Sequence, residues 1–204
     1  RLLSRHLFPE GPDKTVNEHE TKIRKAYLLF KNAPVPSADL QVGRQRFKDS
    51  REWLYDKNLD AVALFVNGVF MDTELSVSTN LIDPSGPEDD IVNYILYVTD
   101  HSSLKDKISF YGMVRHDGKR AELDPLFLGA SWRGRSIKRQ KFWLDTASVF
   151  GHDGPKRLMG YGVDMGWTSR VNLFKQTSLT FGYALGSGDK NRRDDLDRNF
   201  RQTG

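Results

Sequence analysis

The chain has 204 residues, no cysteine and a formal net charge of +4, with a sequence pI of about 9.2 and a mean hydropathy of -0.58. Its longest apolar run, residues 61–66, is far short of the ~18 residues of a membrane-crossing helix. A bundle of transmembrane helices, a cysteine nucleophile, a thiolate metal site and a disulfide framework are therefore excluded. The basic balance suits a nucleic acid, an acidic glycan or an anionic surface equally well.

In chain order, residues 1–20 are polar and carry Pro9, Gly11 and Pro12, which predicts an irregular segment ahead of the first strand. Strands are predicted over 22–31 and 39–47, joined by the turn NAPVPSA. After the polar connection KDSREWLYDK, residues 59–66 and 70–81 flank Asn67-Gly68-Val69, a hairpin signal because Asn and Gly tolerate positive φ. Further strands are predicted near 91–100, 107–116, 126–135 and 139–149, with IDPSGPEDD, HDGKRAELD and GHDGPKR as loops. The last two strands run through MGYGVDMGWTSR and SLTFGYALG.

Several of these strands have one oily and one wet side. Met71, Thr73, Leu75, Val77 and Thr79 alternate with Asp72, Glu74, Ser76 and Ser78, and Met159, Tyr161, Val163, Met165 and Trp167 alternate with small or polar residues. Aromatics and Met opposed to Gly, Ser and Thr over about ten residues fit a tilted membrane-spanning strand better than a soluble sandwich. Short turns at 67–69, 101–106 and 136–138 are interleaved with longer charged loops at 82–90, 117–125, 151–157 and 187–199, the rhythm of a meander barrel. The predicted fold is all-β, an antiparallel meander transmembrane β-barrel of about ten strands. Residues 1–204 form part of one such domain. Arg1 is not an initiator, RLLSRHLF lacks the apolar centre of a signal peptide, and NFRQTG reads as the start of another strand. We therefore expect a piece of a longer barrel.

With the apolar side outward, Arg133 and Arg135 share the inner side with Gly129 and Ser131, because an arginine facing lipid at the midplane costs roughly 2–4 kcal/mol. Arg170 is in phase with the inward Asp164, though at a strand end it serves equally well as an interfacial arginine. Asp72 and Glu74 face inward, so the lumen carries both signs of charge. Arg44 and Arg46 share parity with Leu40 and Val42, and a β-bulge near Gly43 would be needed to turn them inward. Lys141 and Asp145 are in phase with Trp143, which leaves their register open. Guanidinium groups along a pore match carboxylates and stay charged, so a polyanionic sugar can pass from one to the next if each contact releases.

The segments VGRQRF, REWLYDKNLDAVALF and FGYALGSGDKN with the trailing FRQTG resemble the alginate export family of Gram-negative outer-membrane porins. The likeness spans the chain from about Lys22 to its end, and the GRQRF and EWLYDxNLDAV blocks are its most specific part. The resemblance implies a barrel of eighteen strands, of which about ten lie here. It implies a bacterial outer-membrane location, a selective arginine-rich lumen, and alginate or a similar anionic polysaccharide as cargo. Outer-membrane lipid and periplasmic export-complex proteins are the other implied partners. Arg44, Arg46 and Arg51 inherit a role near the pathway, while Ala63 stands where the family pattern often has an arginine.

Two other functions fit the same strands: a general or small-substrate porin, and a soluble β-rich carbohydrate-binding domain using Trp53, Trp132, Trp143 and Trp167 as sugar platforms. In the barrel reading Trp132 and Trp167 instead belong to interfacial girdles. Histidines at 6, 19, 101, 116 and 152 lack metal-ligand spacing, and no serine sits in a nucleophile elbow. No enzyme activity, metal or cofactor is expected. The basic stretch 132–141 continues a strand, so no nucleic-acid partner is expected either.

Overall fold

The computed structural model describes residues 23–48, 56–81, 90–118, 124–135, 140–171, 177–191 and 194–200. These contain no helix. The strands are β1 (Ala26–Phe30), β2 (Ala38–Lys48), β3 (Asp56–Asn67), β4 (Met71–Thr79), β5 (Ile91–Asp100), β6 (Asp106–Asp117), β7 (Leu126–Gly134), β8 (Lys141–Asp153), β9 (Lys156–Arg170), β10 (Ser178–Gly186) and the two-residue β11 (Leu196–Asp197). The first ten follow one another in a single antiparallel meander, and β11 pairs with β9 in parallel. Among the described residues the sheet is not closed, and β1 and β10 are its edges.

Side-chain alternation sorts the sheet into two faces. The row Val42, Val62, Val77, Tyr94, Val114, Leu126, Phe150 and Met159 crosses eight strands in direct register, and all but Leu126 are exposed. The opposite face supplies the packed residues. Phe47 and Leu59 of β2 and β3 join Tyr111 and Met113 of β6, Phe127, Val149 and Leu158 in one cluster. Among the described residues, non-neighbouring strands bring no Cα atoms within 8 Å of each other, yet side chains from β2 and β3 meet those of β6 to β9 in this cluster, so the sheet is rolled with the cluster on its concave side.

The predicted strands recur with shifted ends. Sequence reading extended the first back to residue 22, whereas β1 is only five residues long. The loop predicted at GHDGPKR is largely strand, because His152 pairs with Arg157 and Asp153 with Lys156. Only Gly154 and Pro155 turn, and Gly154 (φ 62°) supplies the positive φ of a two-residue hairpin. The hairpin at Asn67-Gly68 forms, but its loop is Gly68, Val69 and Phe70, and neither Asn67 nor Gly68 adopts positive φ. Gly68 is needed for space: a Cβ there would lie 2.5 Å from the Met71 carbonyl oxygen.

The expected strand at NFRQTG is not seen in its described part. Asn199 and Phe200 instead follow β11 as a strap across the concave face of β9, and residues 201–204 lie outside the described residues, as do 1–20. A Cβ on Gly160 would lie 2.5 Å from the Asn199 carbonyl oxygen, and one on Gly162 would lie 2.8 Å from the Phe200 ring. Ser187 fastens the strap. Its Oγ receives the Tyr161 amide at 2.8 Å and donates to the Arg198 carbonyl at 2.6 Å.

Candidate functional site

The concave face changes character along the strands. Toward the end where β6 and β7 are joined by residues 118–125, it is filled by the apolar cluster. Toward the other end, where β7 and β8 are joined by residues 135–140, it opens into a cavity of about 970 Å³. Among the described residues, Lys105, Lys107, Arg133, Arg135 and Lys141 line this cavity and the exposed Arg46 borders it, against one carboxylate, Glu74.

Strand register sets the order of groups along the wall. Glu74, Tyr97, Tyr111 and Gly129 form one inward row, and Asp72, Thr99, Ser109, Ser131, Asp145 and Asp164 form the next. Lys107, Arg133 and Trp143 follow. In the first row Tyr97 and Tyr111 stack with centroids 5.6 Å apart and planes 6° from parallel. Tyr111 is held in place because its hydroxyl donates to the Thr146 carbonyl at 3.2 Å and its ring occupies the notch left by Gly129, where a Cβ would lie 2.2 Å away. In the second row the Thr99 and Ser109 hydroxyls are 3.0 Å apart.

Arg133 faces inward as expected, but it is not a free charge. One of its nitrogens donates to both oxygens of Asp145 at 2.8 and 2.9 Å, and the Asp145 side chain is only 5% exposed. Directly across the ladder lies Asp164, which accepts the Trp143 indole N–H at 2.8 Å. Lys141, Trp143 and Asp145 therefore all lie on the concave side, which settles their register. Buried carboxylates with charged or indole donors hold this wall together, in line with the expense of leaving such groups unpaired.

The remaining predicted residues divide. Glu74 and Arg135 line the cavity, and the Arg135 backbone amide is anchored on Asp106 at 3.1 Å. Asp72 lies beside the cavity, its carboxylate 3.3 Å from the His101 ring. Arg170, the last residue of β9, is exposed and Asp164 is buried, and both lie outside the cavity lining. Arg44 is not in the cavity. It pairs with Asp60 at 2.9 Å, both side chains about a tenth exposed, and Asp60 also accepts the Leu81 amide.

No residue is inserted near Gly43, since Val42 pairs with Val62, Gly43 with Ala61 and Arg44 with Asp60. The expected bulge is absent, although Gly43 does take a φ of 125°. That conformation lets β1 approach, for a Cβ would lie 2.4 Å from the Ala26 carbonyl oxygen. Arg46 is exposed and borders the cavity. Arg51 and Trp53 lie outside the described residues.

Sequence reading missed Lys105, Lys107 and the tyrosine pair. Parity could have found Lys107 and Tyr111, which alternate with Ile108, Phe110 and Gly112. Tyr97 gives no such signal, because β5 is apolar on both sides from Tyr94 to Val98. Among the described residues, no cluster of three or more His, Asp or Glu side chains could hold a metal. No protein-family model matches the chain, and no curated protein is significantly similar to it.

Proposed function

We propose that this chain is part of an outer-membrane β-barrel porin that passes an anionic polysaccharide, alginate or a relative, by diffusion along its concave face. The observation that carries the reading is the pairing of an exposed apolar face with a cationic cavity on the other side of the same sheet. Exposed large apolar side chains in contiguous rows are what lipid would cover. The aromatic contacts Trp132 with Phe142 and Trp167 with Phe181 lie on that face toward the cavity end, as an interfacial girdle requires.

Lys105, Lys107, Arg135 and Lys141 have no ion-pair partner among the described residues. They leave a local positive field for carboxylates, and as exposed groups on flexible stems they bind weakly enough to release. The test is conductance of the reconstituted protein in planar bilayers. We expect anion selectivity, block by polymannuronate, and weakening of both by Lys107→Ala, Arg135→Ala and Lys141→Ala together. Cation-selective or polymer-indifferent channels point to a general porin. A protein that conducts nothing and stays monodisperse in water without detergent is a soluble β-domain.

A further inference from the structure

A cluster of cations alone would recognise any small anion, but the cavity wall is graded rather than uniformly charged. An aromatic row, Tyr97 on Tyr111 with Glu74 at its edge, comes first, then a hydroxyl row of Thr99, Ser109 and Ser131 flanked by Asp72 and Asp145, and only then Lys107 and Arg133. From Tyr111 to Lys107 is four residues along β6, roughly 13 Å of strand. A ligand that touches both ends must be extended and must carry an apolar face, hydroxyls and carboxylates.

Resting on the porin reading above, we infer that Tyr97 is a stacking platform for a pyranose ring of the polymer. The two tyrosines have different tasks. Tyr111 is buried, wedged over Gly129 and tied to the Thr146 carbonyl, so it is the fixed base of the pair. Tyr97 is partly exposed and lines the cavity. Stacked on a ring that cannot swing away, it loses little further freedom when a sugar face covers the part of its ring left bare. The Thr99 and Ser109 hydroxyls, already bonded to each other, can each still offer or accept a hydrogen bond to a sugar hydroxyl. The lysines and Arg135 then meet carboxylates of units further along.

The measurement is titration calorimetry on the full chain folded in detergent micelles, with three probes: a mannuronate trimer, the neutral mannose trimer and citrate. Tyr97→Ala should weaken the mannuronate trimer about three- to tenfold and leave citrate unchanged, and Tyr97→Phe should keep the wild-type affinity. Lys107→Ala with Lys141→Ala should weaken the mannuronate trimer and citrate together. Equal loss of citrate and trimer in Tyr97→Ala, or no loss of the trimer, overturns the platform while leaving the anion pathway standing. A wild-type protein that binds neither anionic probe overturns the pathway and the platform together.

Discussion

Arg133 illustrates how a charge on the concave face of a sheet can be structural. Its guanidinium fixes both oxygens of a carboxylate that is nearly inaccessible, and Asp145 has a second carboxylate, Asp164, as its direct neighbour across the ladder. Removing the arginine leaves two buried acids side by side. We expect Arg133→Ala to destabilise the fold by about 1–3 kcal/mol, the cost of a lost charged hydrogen bond discounted for the partial exposure of the arginine. Arg135→Ala, whose side chain is exposed, should cost under about 0.5 kcal/mol. Urea titration in micelles separates the two, and equal effects would place both arginines in the same role. The inward direction of Arg133 was legible from its alternation with Trp132. Its partner was not, because Asp145 lies on the next strand and the intervening 136–140 segment gave no reliable count for the register.

At the scale of elements, the strap formed by 194–200 has its own electrostatics. Asp194 accepts a hydrogen bond from Arg198 at 2.9 Å, and that bond holds its pKa below the ordinary 3.8. A depressed carboxylate contributes stability above its unfolded value and loses it as pH falls through the folded one. Because that ion pair lies within the strap, its contribution to the local fold of residues 194–198 should persist from neutral pH down to about 3.8 and fade only in stronger acid. A nitroxide attached at the exposed position 195, inside the strap, reports this as local mobility rising below that pH, and Asp194→Asn should raise that mobility slightly at neutral pH and remove the acid step. Mobility that is independent of both pH and Asp194 would mean that Ser187 and the glycine wall hold the strap without the ion pair. Sequence reading takes KNRRDDLDR as a mixed-charge run in a solvated loop, since nothing local says that Gly160 and Gly162 leave room for Asn199 and Phe200.

For the whole molecule, membrane and water make opposite demands on the apolar face. Phe110 is 60% exposed near the middle of β6, and Trp167 is 47% exposed toward the end of β9. Between Met159 and Trp167, β9 covers roughly 27 Å before tilt, close to the ~25 Å apolar band of a barrel. In lipid, Phe110→Arg should cost about 2–4 kcal/mol and Trp167→Arg about 0–1 kcal/mol. On a surface facing water, neither exposed position should matter by more than about 0.5 kcal/mol. Folding titrations into lipid vesicles distinguish the cases, and the absence of a depth dependence would count against the membrane reading.

The sequence by itself determined the all-β class, the meander, the placement of nearly every strand and the apolar face, because a period of two is written into each strand independently of its neighbours. Tertiary structure decided which charges are spent and which are free. Arg44 is taken by Asp60 and Arg133 by Asp145, while Lys105, Lys107, Arg135 and Lys141 converge on a cavity beside two stacked tyrosines. Those outcomes depend on register between strands and on how far the sheet rolls, and side-chain pairing across strands is carried by neither strand alone.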